Sequence, residues 1–205
     1  METPLRDLTW TDATEPFGLF DAWFTDAEAT EPDVPNAMQL ATVDGSGQPT
    51  LRTVLLKGVS PEGLRFFTNL ESRKGRDLAA NPRAALLFHW KTSKRQVKAR
   101  GPVERLSDEA SDAYWATRPR GSQLAAWASA QSRPLASAEA YEEAVAEATT
   151  RFEGQDVPRP PFWAGFRLVP LVMEFWEDGE YRMHTRLQFE RETPTAPWTK
   201  GLLQP

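Results

Sequence analysis

The sequence contains no cysteine, which excludes disulfides, thiolate nucleophiles and cysteine metal sites together and fits a reducing compartment. Histidine is almost as scarce. His89 and His184 are the only two, and neither stands at ligand spacing from a second histidine or from paired carboxylates, so no metal is expected. No run of 18 apolar residues occurs, and the opening METPLRDLTWTD has no apolar stretch able to act as a secretory signal. No membrane partner is expected, and a cytoplasmic location is the simplest reading. Neither a Walker loop nor a GxGxxG turn is present, so a nucleotide site built on glycine-rich backbone is disfavoured.

Flat aromatic surface and locally concentrated positive charge are what the chain does have. The 8 Trp and 11 Phe among 205 residues can furnish a core or a stacking site within a single domain. The net charge is −5, yet residues 51–100 carry 12 Lys and Arg against the three acids Glu62, Glu71 and Asp77. Such a field recruits a small multiply charged anion, a phosphate first of all, or a nucleic-acid backbone; a solvated basic face accounts for the charge equally well. No nucleic-acid-binding motif accompanies it, so a nucleic-acid partner is not expected.

The pattern of apolar residues predicts a mainly β protein with peripheral helices (α+β). A helix is expected from Pro16 to about Glu28, capped by Asp12 or Thr14, and strands at Met38–Val43 and Gln48–Gly58 joined by the tight turn Asp44–Gly47. Turn residues Ser60–Gly63 lead to a strand at Leu64–Thr68, a helix at Ser72–Ala80, and strands at Ala84–Trp90 and Gln96–Leu106. Short strands so connected suggest a small barrel or closed sheet. Helices are expected at Ser107–Arg118, Ser122–Ser129 and Ser137–Phe152, and closing strands at Phe166–Val169, Val172–Trp176 and Tyr181–Phe189. A phosphate bound without a glycine-rich loop needs convergent cationic donors, and Arg52, Lys57, Arg73 and Lys74 are the candidates.

Seven collinear blocks between Asn36 and Arg186 carry a further signal: RTVLLKG, FFTNLESRKG, NPRAALLFHW, RQVKARGPVERLS, RPRGSQLAAWASAQS, FWAGFRLVP and EFW followed by RMHTR. Together they resemble the pyridoxamine 5′-phosphate oxidase family. The resemblance implies an FMN-binding split β-barrel, assembled as a homodimer with one FMN in each of two interface sites. It implies that Arg52, Thr53, Val54, Leu55, Leu56 and Lys57 line the flavin, that Phe67 and Thr68 meet it, and that Arg73 and Lys74 take its phosphate. Gln96, Gln131, Ser132, Trp176 and Arg186 match further FMN contacts.

For the substrate, the resemblance implies a phosphate cradle of Lys57, Tyr114, Arg118 and Ser122, with the catalytic pair Arg182 and His184 flanking a pyridine ring. The implied reaction moves a hydride from C4′ of pyridoxamine or pyridoxine 5′-phosphate to the flavin, with dioxygen as acceptor and hydrogen peroxide as product. The chain departs from the family pattern where Thr185 replaces the usual Asp after the histidine and Leu202 an Arg near the end, and METPLRDLTW lacks an Arg- and Tyr-containing cover. A related flavin oxidase of the phenazine-biosynthesis type, and a flavin- or pyridoxal-phosphate-binding protein without turnover, are the alternatives. His89 matches no functional position and is read as structural.

Overall fold

The computed structural model describes residues 7–205; residues 1–6, the start of the segment that lacks a cover, lie outside the described residues. The chain opens with a 3-10 turn at Thr9–Asp12 and helix α1, Pro16–Thr30. Glu15 caps this helix in place of Asp12 or Thr14, its carboxylate accepting from the amides of Phe17 and Gly18. Proline at the first helical position costs nothing, because its missing N–H would have had no helical partner. Phe17, Phe20, Trp23 and Ala27 face the core at helical spacing. Phe20 meets Phe88 edge-on at 5.2 Å and Trp23 meets Phe175 at 5.3 Å.

Strands β1 (Ala37–Val43) and β2 (Pro49–Leu55) form the expected hairpin, with Val43 opposite Pro49. Asp44 shapes the turn by accepting from the amides of Ser46 (2.9 Å) and Gln48 (3.0 Å), and Gly47 supplies a φ of +88°. The short β3 (Val59–Ser60) pairs with β4 (Gly63–Asn69), so the expected strand through Gly58 in fact ends at Leu55. Further along come β5 (Arg83–Trp90), β6 (Arg95–Arg105), β7 (Trp163–Leu168), β8 (Val172–Glu177), β9 (Thr185–Glu190) and β10 (Thr199–Leu202). All pairings are antiparallel, in the order β10-β9-β8-β6-β5-β1-β2, while β3, β4 and β7 branch off through β6.

The branch has a local cause in β6. Residues 95–100 pair with β8, residues 103–105 pair with β7, and Gly101-Pro102 lies between them. A Cβ on Gly101 would sit 2.0 Å from the Val169 carbonyl oxygen, so only glycine admits this approach. Pro102 cannot donate to a ladder, and its carbonyl takes the Val169 amide at 2.9 Å. One long strand thereby serves two sheet segments and opens the barrel.

Helix α2 (Arg73–Ala80) packs beside β1, and α3 (Asp108–Ala116), α4 (Arg120–Ala128) and α5 (Ala138–Arg151) sit over β7. The latter three share a second apolar cluster of Trp115, Leu124, Ala148, Phe152, Val157 and Trp163. Ser72 caps α2: its hydroxyl accepts from Gly75 N at 3.2 Å and donates to the Asn69 carbonyl at 2.7 Å, fully buried. Ser72→Ala should therefore cost about 1 kcal/mol, read as a lower urea midpoint at unchanged slope.

In the last third one expectation is corrected and one strand was missed. The strand expected at Tyr181–Phe189 begins only at Thr185, because Glu180–Arg182 form a 3-10 turn with Tyr181 at φ +53° and Arg182 at φ +68°. Strand β10 went unread because all four of its residues are exposed, so no alternation marks it.

Candidate active site

A cavity of about 430 Å³ lies between β2, β4, the start of α2 and the α3–α5 group. Of the residues named from the sequence, Thr53, Val54, Leu55, Lys57, Phe67, Thr68, Lys74, Tyr114, Arg118, Ser122 and Gln131 line it. β2 can offer its residues because it is the sheet edge, paired on one side only by β1.

Lys74 is the electrostatic centre of this half. Its side chain is 8% exposed, and its ammonium donates to Gln131 Oε1 at 2.9 Å, Thr68 Oγ1 at 3.1 Å and Ser72 Oγ at 3.4 Å. Those partners are all neutral. Burial, and after it the positive charge of Arg52, lower the Lys74 pKa to about 8. Arg73 and Lys74 also occupy the first turn of α2, where the helix dipole disfavours cations. A buried ammonium at a helix N-terminus without a carboxylate is costly unless an anion joins it, and phosphate fits that donor set.

Arg52 and Arg73 lie outside the cavity lining. Arg52 donates to the Leu40 carbonyl at 3.0 Å, to Thr42 Oγ1 at 2.7 Å and to Thr50 Oγ1, with Asp77 at 3.6 Å. Arg73 pairs with Asp44 at 2.7 Å and Asp77 at 3.1 Å. Both reinforce the local field rather than presenting a free charge. Leu56 is buried in the main core, and Ser132, at φ +68°, follows Gln131 outside the lining.

The opposite wall is aromatic. Phe67 lies 4.0 Å from Tyr114 and 5.2 Å from Trp163, all three rings being within 18° of parallel. Gly165 makes room, since a Cβ there would fall 2.6 Å from the Phe67 ring. Lys57 Nζ is 6.0 Å from the Tyr114 centroid. The Arg118 guanidinium rests 5.0 Å from Trp163 and 5.3 Å from Trp115 and donates to the Ser122 carbonyl at 2.9 Å. Its Nε is buried without a partner. Burial lowers the Arg118 pKa.

The remaining predicted residues gather elsewhere. Gln96, Trp176 and Arg186 fall in one row across β6, β8 and β9, Gln96 opposite Trp176 and Trp176 opposite Arg186. Arg186 donates to Glu174 at 2.8 Å and to the Gln204 carbonyl at 2.8 Å. His184 lies 4.6 Å from the Trp176 ring, and Arg182 stands on the left-handed turn between β8 and β9. Strained non-glycine backbone of this kind persists where the surroundings impose it and clusters at functional sites. Around the sheet β2 and β9 are five strand spacings apart, about 24 Å at 4.8 Å each. Sequence reasoning missed Asn69, Ala125, Ala126, Ser129, Tyr141 and Trp163 in the lining. All but Tyr141 stand inside the blocks quoted above, Asn69 in FFTNLESRKG, Ala125, Ala126 and Ser129 in RPRGSQLAAWASAQS and Trp163 in FWAGFRLVP, but none carried a role of its own.

Residues 24–152 match the family model described as pyridoxamine 5′-phosphate oxidase. The chain belongs to the pyridoxamine 5′-phosphate oxidase family. Residues 163–205 match a second model, the pyridoxine 5′-phosphate oxidase C-terminal dimerisation region, which holds Trp176, Arg182, His184 and Arg186. Among curated members of the family, the pyridoxine/pyridoxamine 5′-phosphate oxidase of Azorhizobium caulinodans is 55% identical over 204 residues, covering 100% of this chain and 96% of that one. Its counterpart from Rhizobium meliloti is 54% identical over 196 residues, covering 96% and 95%. Among solved structures, PhzG from Burkholderia lata 383, in complex with tetrahydrophenazine-1-carboxylic acid, superposes with a TM-score of 0.90 at 30% identity over 100% of both chains. A pyridoxamine 5′-phosphate oxidase-related, FMN-binding protein from Nostoc punctiforme shares the fold, with a TM-score of 0.75 at 19% identity over 95% of this chain and 100% of that one. The fold is thus the split barrel expected from the sequence.

Proposed function

We propose that the chain is an FMN-dependent oxidase that converts pyridoxamine or pyridoxine 5′-phosphate to pyridoxal 5′-phosphate, with dioxygen as acceptor and hydrogen peroxide as product. The observation that carries this reading is a pair of buried or half-buried cations, Lys74 and Arg118, that line one cavity and share it with a flat aromatic wall. Among the described residues neither is paired with a carboxylate. A ligand pair bearing two phosphates and two flat rings satisfies both cations and the wall together.

Lys74, with Thr68 and Gln131, is assigned to the FMN phosphate, and β2 from Thr53 to Leu55 to the edge of the cofactor. Lys57, Tyr114, Arg118 and Ser122 take the substrate phosphate. Bound FMN supplies the hydride acceptor and the reaction with dioxygen; the protein positions rather than attacks. The aromatic wall excludes water from that face. Arg182, His184, Trp176, Gln96 and Arg186 complete the site from the second subunit of a homodimer, a reading supported by their separation from the cavity within one chain and by the dimerisation model that spans four of the five.

Anaerobic mixing of FMN-loaded protein with pyridoxine 5′-phosphate is the test. Loss of the flavin absorbance, and peroxide with pyridoxal 5′-phosphate once air is admitted, are expected. A protein that oxidises a tetrahydrophenazine carboxylate but leaves pyridoxine 5′-phosphate untouched would belong to the PhzG branch instead, and one that binds FMN but is bleached by neither substrate is a binding protein.

A further inference from the structure

We infer that Asp178 is a positioning residue for His184, and that with the Gly179 amide it seats the imidazole in either protonation state. The inference rests on the reading above, in which His184 faces the pyridine ring. His184 Nδ1 lies 3.1 Å from Asp178 Oδ1 and 3.2 Å from the Gly179 backbone nitrogen. A single ring nitrogen cannot serve both partners at once. With no proton on Nδ1, its lone pair accepts the Gly179 N–H; with a proton there, Nδ1–H donates to the Asp178 carboxylate. Each state thus finds a partner without rotation of the ring, and Trp176 at 4.6 Å and 40° restrains its plane from one side.

The turn between β8 and β9 brings these groups together. Asp178 N donates to the Lys94 carbonyl at 3.0 Å, Met183 N to Glu180 O at 2.9 Å and His184 N to Arg182 O at 2.9 Å. The left-handed Tyr181 and Arg182 reverse the chain, so that residues 178 and 184 end side by side. The other ionisable side chains flanking this turn on β8 and β9 are engaged, Glu177 with Arg95 at 3.0 Å and Arg186 with Glu174 at 2.8 Å, while Arg182 and Glu180 are exposed on the turn itself. Thr185, directly after the histidine, has no carboxylate, and Asp178 brings one to the ring from across the turn. Nε2 is left for the substrate, and the imidazole can gain or lose a proton without swinging away.

Asp178→Ala and Asp178→Asn in the FMN-loaded dimer, with ¹⁵N spectra of the ring nitrogens, test the seat. Two histidines make assignment direct, since His89→Gln identifies the other ring. Asp178→Ala is expected to lower kcat for pyridoxine 5′-phosphate about tenfold with full flavin content, and to shift the His184 Nδ1 resonance; Asp178→Asn, which keeps an acceptor oxygen, should recover much of the rate. Unchanged ring resonances in Asp178→Ala, or equal losses in the alanine and asparagine variants, would overturn the inference. His184→Ala run alongside separates the two readings: full turnover there removes His184 from the site, whereas the ring spectra report on the seat regardless of turnover.

Discussion

Lys74→Met should weaken FMN binding about 30- to 100-fold, the equivalent of one or two charge-assisted hydrogen bonds, while making the FMN-free protein more stable. The opposite signs come from the same burial. In the free protein the ammonium is taken out of water with only Gln131, Thr68 and Ser72 as partners, and a pKa lowered from 10.5 to about 8 corresponds to a folding cost of about 3 kcal/mol. Methionine removes that cost and forfeits the three hydrogen bonds, for a net gain of about 1–2 kcal/mol. Quenching of FMN fluorescence and urea unfolding at pH 7 measure the two effects. A variant that binds FMN normally and unfolds earlier would make Lys74 a structural residue.

The same lysine sets a pH dependence. Its folded pKa lies below its unfolded one, so between about 8 and 10.5 the unfolded chain holds the extra proton and this group's contribution to the stability of the FMN-free protein rises with pH. Below pH 8 the penalty is fully present. The FMN phosphate favours the charged form, so affinity should fall as pH rises above 8, by up to about tenfold per unit, with proton uptake on binding. Lys74→Met should flatten that profile.

How much of this was legible depended on whether the signal was local. The hairpin at Asp44–Gly47 and the helix starts at Ser72 and Ser107 are written in a few adjacent residues, and they fell within one residue of where the sequence placed them, both serines serving as caps. The cluster of positive charge was visible as well, but not its partition. Arg52, Arg73, Arg95 and Lys98 are tied to Asp77, Asp44, Asp26, Glu177 and Glu174, and Lys74 is buried. Which cation stays unpaired depends on contacts across the fold, such as Lys74 with Gln131, 57 residues on. Tyr141 was illegible for the same reason: it reaches the cavity through the packing of α4 against α5. The turn at Tyr181 and Arg182 read as strand because left-handed backbone in non-glycine residues is imposed by surroundings, not propensity.

Arg118→Met is expected to reduce kcat/KM for pyridoxine 5′-phosphate by about 10²–10³, almost entirely through KM, because a planar cation that grips a phosphate remote from the reacting carbon contributes binding rather than chemistry. The guanidinium rests 5.3 Å from the Trp115 ring and 5.0 Å from the Trp163 ring, one of its nitrogens committed to the Ser122 carbonyl and Nε buried without a partner. An arriving phosphate therefore meets a donor whose rotamer is already fixed, and little ordering entropy is lost on binding. Arg118→Lys keeps the charge and loses both the stacking and the fork, so it should recover only part of the affinity, about a tenfold deficit remaining. Flavin content should be unchanged in both, since Lys74 and not Arg118 is assigned to the cofactor phosphate. The sharpest comparison uses pyridoxine without its phosphate: the parent should discriminate strongly against it, and the methionine variant should discriminate about 10²–10³ less, keeping only what Lys57, Tyr114 and Ser122 supply. Equal losses on both substrates would mean that Arg118 supports the aromatic wall instead of reading the phosphate, and the division of the cavity between Lys74 and Arg118 would then have to be redrawn.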